Sequence, residues 1–202
     1  MQRYLIIILL VLMGLMLVAC EDDAELRIRN RTNASITAKV DEGDEFTIEA
    51  WSGWSRIYGQ DTNVTVNYEG LYVYPNFVNR TVTQGLPTTV NVYPDCGAIR
   101  LNNDSPAVIT EINISRHDAT EWGENLIVDN MLNGTDLTWS IRAGNWDIRV
   151  IPESGSPIYK MDQVITDNET LELLISEFGA HAKYNKTPGG NKPSELILRE
   201  TN

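Results

Sequence analysis

Leu26-Arg27-Ile28-Arg29-Asn30 is repeated, with the same alternation, as Ile99-Arg100-Leu101-Asn102-Asn103, an offset of 73 positions (99 − 26). In both copies apolar side chains take turns with charged or amide ones, so the period is two and not 3.6. Successive side chains on a strand point to opposite faces, and this pattern encodes one dry face and one wet face. A chain that writes such a strand twice at this spacing is expected to repeat the whole unit built around it.

The alternation continues outward from Leu26. Ile36, Ala38 and Val40 alternate with Thr37 and Lys39. Phe46, Ile48 and Ala50 follow, then Val64, Val66 and Tyr68, then Leu71 and Val73 among tyrosines, then Val90 and Val92. Asp41-Glu42-Gly43-Asp44, Tyr58-Gly59-Gln60-Asp61, Glu69-Gly70 and Gln84-Gly85-Leu86-Pro87 supply turns between these runs. Pro94-Asp95-Cys96-Gly97 interrupts the pattern. It restarts at Ile99 and runs through Leu137, Trp139 and Ile141, then Trp146, Ile148 and Val150, to Leu171, Leu173 and Ile175. Short strands at this spacing predict an all-β fold. The expected architecture is two tandem small antiparallel β-sandwich domains, Ig-like or transthyretin-like, over residues 26–94 and 97–176. An acidic linker, 20–25, precedes them and a tail, 177–202, follows.

Two further matches support the repeat. Gly70-Leu71-Tyr72-Val73-Tyr74 aligns with Gly144-Asn145-Trp146-Asp147-Ile148, and Thr89-Val90-Asn91-Val92 with Thr170-Leu171-Glu172-Leu173. A glycine two residues before an aromatic suggests a tight turn, open to positive φ, entering a strand whose aromatic plugs the core. The stretch 143–150, followed by 170–173, resembles the last strands of PEGA-type and carboxypeptidase-regulatory-like β-sandwich modules. Glu121-Trp122-Gly123-Glu124-Asn125-Leu126 resembles a run in bacterial secreted sandwich domains. These resemblances imply a fold and no activity.

Upstream of the repeat, Arg3 precedes an apolar run that ends at Ala19, immediately before Cys20. A positive start, an apolar stretch and a small residue before the cut are the parts of a secretory signal. The run is somewhat short for a membrane-spanning helix, which needs about 20 residues. Glu21-Asp22-Asp23 on its far side is not the basic flank of a stop-transfer segment. Leu17-Val18-Ala19-Cys20 resembles the lipobox of bacterial lipoproteins. The resemblance implies cleavage of residues 1–19 between Ala19 and Cys20. It also implies diacylglyceryl transfer to the Cys20 thiol and fatty acylation, palmitate among the chains, of the new amino group. One acyl chain binds a membrane marginally, whereas two or three anchor stably. An ordinary cleaved signal with a chance cysteine, or an uncleaved anchor, is the alternative. The acidic run resembles export signals to the outer face of the outer membrane, although in other lineages it retains a lipoprotein at the inner membrane. The expected location is the cell envelope, the outer membrane ahead of the inner, with the leaflet open.

The chain carries 16 basic and 28 acidic residues, a net charge of −12. Without Arg3 the balance is 15 − 28, or −13. Such a surface repels phosphate backbones, so nucleic acid is not an expected partner. An envelope protein or a glycan is. With Cys20 lipidated, Cys96 has no partner in the chain and reads as a small buried residue between the domains. Only His117 and His181 could join it in a metal site, too few for zinc.

His117-Asp118 with Glu121 joins a base to carboxylates, but in a loop-like stretch without nucleophile or metal motifs. No enzyme activity and no cofactor are expected. Asp41-Glu42-Gly43-Asp44-Glu45 gathers oxygen ligands without an EF-hand register, which leaves Asp41 and Asp44 as weak calcium candidates. Trp51 and Trp54 flank a glycine on opposite faces of a strand, so at least one can be exposed for a sugar ring or a protein surface. Trp122 is the third binding candidate. Asn-x-Ser/Thr triplets beginning at Asn30, Asn33, Asn63, Asn79, Asn103, Asn113, Asn133 and Asn168 read as an Asn/Thr-rich outer surface. Glu195-Leu196-Ile197-Leu198-Arg199 is either one extra edge strand or disordered.

Overall fold

The computed structural model describes residues 23–180, 186–189 and 195–199. The N-terminal run with Ala19 and Cys20, and also His181, lie outside the described residues. In the first half, β1 (Ala24–Asn30), β4 (Gly53–Tyr58) and β7 (Thr88–Val92) form a sheet ordered β4-β1-β7. β2 (Ile36–Val40), β3 (Glu45–Ile48), β5 (Thr62–Gly70) and β6 (Val73–Val82) form a second, ordered β3-β2-β5-β6. The second half repeats the plan. Its β8 (Gly97–Asn102), β11 (Asp136–Ile141) and β14 (Thr170–Leu174) form one sheet, with β8 in the middle. Its β9 (Ile109–Arg116), β12 (Gly144–Pro152) and β13 (Ile158–Ile165) form the other, ordered β13-β12-β9. The fold is all-β, and each half buries one face of both its sheets in a core of its own.

The period-two reading places the core correctly. Leu26, Ile28, Ile36, Ala38, Val40, Val64, Val66, Val90 and Val92 fill the first core. Ile99, Leu101, Trp139, Ile141, Trp146, Ile148 and Val150 fill the second. Within these four sheets the ladders are antiparallel except where the first and last strands of each half meet: β1–β7 and β8–β14 are parallel. Parallel first and last strands carry the chain in at one end of a unit and out at the other, which suits units strung in tandem.

Several expected details differ. β1 starts at Ala24, fully buried, inside the stretch read as an acidic linker. Val90 lies opposite Ile28 as Leu173 lies opposite Leu101, so the β7–β14 match is two residues further along than the sequence alignment places it. A shift of two leaves every side chain on its expected face. The Gly70–Gly144 match does not hold. Gly144 opens β12, with φ 142°, and Trp146 is core. Gly70 closes β5, the strand in the same place. It is glycine because a Cβ there would come within 2.9 Å of Ile36 Cγ2 and 3.0 Å of Ser35 O. Tyr72 therefore sits in the β5–β6 turn and faces the second half, where its hydroxyl meets Thr170 Oγ1 at 2.9 Å.

Two of the Asn-x-Ser/Thr triplets are structural. Asn30 and Asn103, both fully buried, end the two matching strands. Asn30 Nδ2 donates to Ala34 O at 2.7 Å and its Oδ1 accepts from Thr32 N–H at 2.9 Å. Asn103 does the same with Ala107 O at 2.8 Å and Ser105 N–H at 3.2 Å. Each locks the turn that leads to the other sheet. Asn113 is buried as well, so these three triplets do not belong to the outer surface.

The halves meet along Leu71, whose carbonyl accepts from Ser140 Oγ at 2.9 Å and lies 3.7 Å from Cys96 Sγ. Cys96 is fully buried and in no disulfide. Asn33 donates its N–H and its Nδ2 to Asn168, at 2.6 and 3.0 Å. Leu196–Arg199 forms β16, an edge strand antiparallel to β11, in place of disorder.

Candidate functional site

The outer face of β4-β1-β7 carries an open groove of about 330 Å³. Alternation on β1 turns Arg27 and Arg29 outward, and Arg31 continues the row past the strand end. Opposite Arg29 stands Gly53, which leaves the floor without a side chain. Arg27 is occupied: its guanidinium holds Glu25 at 2.6 Å and keeps that carboxyl below its usual range. Arg31 Nε reaches Asn91 Oδ1 at 3.4 Å. Arg29 is exposed, and among the described residues Glu25 is the only carboxylate lining the groove.

Trp51 stands at the groove, 60% exposed. Its φ of 56° is a left-handed conformation that a bulky residue rarely adopts. The turn is pinned by Ser52 N–H to Glu49 O at 3.1 Å and by Asn30 N–H to Ser52 O at 2.9 Å. The indole Nε1–H donates to Asn33 Oδ1 at 3.0 Å, and Asn33 is itself tied to Asn168 of the second half. The ring is thus held edge-on by its nitrogen while its surface meets solvent. Trp54, also expected as a binding residue, stacks on Phe46 with ring centroids 4.4 Å apart and packs against the core. Trp122 is 2% exposed. It lies beneath Arg149 and Lys186, whose cationic groups sit 5.5 and 5.2 Å from its ring centroid, and beside Tyr159. That enclosure leaves no face for a ligand, and Trp122 is a packing residue.

A second cluster of polar groups lies inside the second half. Asp147 alternates with Trp146 and Ile148, which predicts an outward, wet position; in fact it is fully buried. His117 Nδ1 lies 2.8 Å from its Oδ1, and the Asp162 N–H donates to the same oxygen at 2.7 Å. Lys186 Nζ lies 2.7 Å from Oδ2 and also donates to Ser115 Oγ at 3.0 Å and Arg116 O at 2.5 Å. Two hydrogen-bond acceptors and a buried carboxylate thus engage the ammonium group. The Asp147 hydrogen bond raises the His117 pKa above its ordinary value. His117 is therefore engaged with Asp147, while Asp118 and Glu121 point to solvent. Lys186 gives no local sequence signal, since it arrives from the tail beside β15 (Thr187–Pro188), which pairs with β10 (Glu121–Trp122).

Asp41 and Asp44, the calcium candidates, flank the turn after β2. Asp41 Oδ1 accepts the Thr65 N–H at 2.7 Å, which closes the turn beyond β2. Among the described residues no three acidic, histidine or cysteine side chains gather where a metal ion could sit. Arg27 and Arg29 stand at alternate positions in the repeated stretch, yet only the groove adds Arg31 and Trp51 to them.

No family model matches the sequence, and no curated protein matches it either. Among solved structures, the chain is similar to the TIE protein of Bacillus anthracis, with a TM-score of 0.29 and 8% identity over 76% of this chain. The chain spans 33% of that protein's length. It is also similar to GBS52, the minor pilin of Streptococcus agalactiae, with a TM-score of 0.29 and 11% identity over 88% of this chain and 100% of that one.

Proposed function

We propose that the protein is a non-catalytic binding or structural module of the bacterial cell envelope, tethered by lipid at Cys20 with its folded part displayed beyond the bilayer. The observation that carries the reading is the apolar run closing in Leu17-Val18-Ala19-Cys20 ahead of an all-β chain. A compact, strongly acidic β-sandwich pair suits display beyond a bilayer, where net charge maintains solubility. The engagement of His117 and Lys186 with buried Asp147 supports a structural role for this cluster. The exposed Trp51 favours a second, narrower reading as a surface adhesin or carbohydrate-binding lipoprotein.

The anchor is tested by fractionating cells that express the wild type and Cys20→Ala, with and without globomycin, followed by mass spectrometry of the N-terminal peptide. The expected wild-type peptide begins at Cys20 and carries fatty acids, and the variant is neither cut nor acylated. A wild-type chain that keeps Met1, or that is processed but bears no acyl group, overturns the proposal.

A further inference from the structure

We infer that the groove on the outer face of β4-β1-β7 is a binding site for acidic polysaccharide, with Trp51 stacking on a sugar ring and Arg29 holding its carboxylate. The inference rests on the surface display proposed above for its biological setting, but the site itself is defined by residues of the folded chain. Three observations converge on it.

The first is Trp51. A large aromatic kept 60% exposed, on backbone that disfavours it, contributes little to the core. Strain of this kind persists where the surroundings impose it, and it clusters at ligand sites. Here the imposing contacts are visible: Asn33 fixes the indole nitrogen, and Asn168 fixes Asn33. A ring whose orientation is set before binding loses little entropy when a flat partner stacks on it.

The second is charge. In a chain of net charge −12, Arg27 and Arg29 share one side of β1 and Arg31 extends their row past its end. Arg27 is neutralised by Glu25, and Arg31 leans on the neutral amide of Asn91, so among the described residues Arg29 and Arg31 both face the groove without a carboxylate, and Arg29 is the more exposed of the two. A guanidinium presents paired donors that match a carboxylate. The third is space. Gly53 opposite Arg29 removes the side chain that would otherwise cover it. The matching face of the second half has no such charge: Asn102 stands in the place of Arg29, and Arg100, in the place of Arg27, is flanked by Glu172 at 3.1 Å and Asp136 at 3.6 Å.

An apolar ring face and a carboxylate within one short reach describe a uronic acid residue. A neutral sugar would use only Trp51, and an acidic peptide only the arginine. The test measures binding to the full chain, extracted in detergent, by calorimetry at low salt. The probes are oligogalacturonate and alginate oligosaccharides, methyl-esterified oligogalacturonate, which keeps the rings without the charge, and polyglutamate, which keeps the charge without the rings. At least one of the two uronate probes is expected to bind, at least tenfold tighter than the ester and polyglutamate, and to weaken as salt rises. Arg29→Ala, Arg29→Lys and Trp51→Gly are each expected to lose tenfold or more. Trp51→Gly fits the left-handed backbone, so its thermal midpoint should match or exceed the wild type, which separates lost binding from lost fold. Failure of both uronates to bind, equal binding of the ester or polyglutamate, or uronate binding untouched by these variants overturns the inference. None of these outcomes depends on whether Cys20 is acylated, so failure here and failure of the anchor are read separately.

Discussion

The first core is packed with aliphatic side chains of modest size, chiefly Ala, Val, Leu and Ile. The second, on the same strand plan, encloses Trp139 and Trp146 and adds a buried Asp147–His117–Lys186 network beside them. The first half leaves the outer edge of β4 uncovered among the described residues, whereas the corresponding strand β11 is capped by β16. Duplicated topology thus carries two distributions of work. The second half concentrates large buried groups and holds the tail. The first half, less heavily built, leaves its outer face open and places an exposed tryptophan there.

The widest gap between the halves should appear at matched core positions on β5 and β12. Trp146 is fully buried, donates Nε1–H to Arg142 O at 3.0 Å and lies under the Arg116 guanidinium, 4.8 Å from its ring centroid. Trp146→Ala should cost about 3–5 kcal/mol in urea unfolding. Val64, at the corresponding place on β5, loses only two methyls on Val64→Ala, about 2 kcal/mol with its small cavity. Equal losses at the two sites would show that the size of the buried side chain does not set the difference between the halves.

Asp147→Ala should rank next, at about 3 kcal/mol or more, because it leaves the Lys186 ammonium buried without its carboxylate. Removing both charges, as Asp147→Leu with Lys186→Met, should recover much of that loss. A double-mutant cycle read by denaturation measures the coupling, and additive losses would show that the pair does not interact.

Where the halves are alike, the effects should be alike. Asn30→Ala and Asn103→Ala each strip a buried turn of its donor and acceptor, and each should cost about 1–3 kcal/mol. A large difference between them would break the equivalence of the two strand ends.

Residue pattern made the strands, the repeat and most of the core legible, because period two is a local property that burial then obeys. Asp147 broke that rule for a reason no window around it contains: its cover comes from Lys186, brought back by the tail, and from His117 on the neighbouring strand's exit. The glycine match failed because Gly70 and Gly144 are glycines for different causes, close approach to Ile36 in one case and positive φ in the other. Trp51, Trp54 and Trp122 were indistinguishable as letters. Stacking on Phe46, enclosure by Arg149 and Lys186, and a left-handed turn into solvent are all tertiary outcomes.

The pH dependence should also belong to the second half. His117 has its pKa raised above 6.5 by its hydrogen bond to Asp147. A raised folded-state pKa means that the charged form stabilises the fold. That contribution is complete below the unfolded value near 6.5 and disappears as pH rises through the higher folded value. His117→Gln should flatten the stability-against-pH curve across that window, measured by thermal unfolding at several pH values. A wild-type curve already flat there would show that His117 gains nothing from folding.

The smallest effect should fall on the outward arginines, and it bears most directly on why the two outer faces differ. Arg100 touches Thr138 Oγ1 at 3.3 Å and two carboxylates, with all three ionic side chains more than a third exposed. Exposed pairs of this kind contribute about 0.2–1 kcal/mol. Arg100→Ala and Arg27→Ala should therefore each shift stability by under about 1 kcal/mol, and less at high salt. If so, the acidic neighbours of Arg100 do not hold the second half together. They occupy Arg100 as Glu25 occupies Arg27, and the first half differs by a further arginine, Arg29, that faces its groove where the second half has Asn102. A loss well above 1 kcal/mol at Arg100 would instead make its face a structural surface, and the contrast with the first half would be one of strength and not of availability.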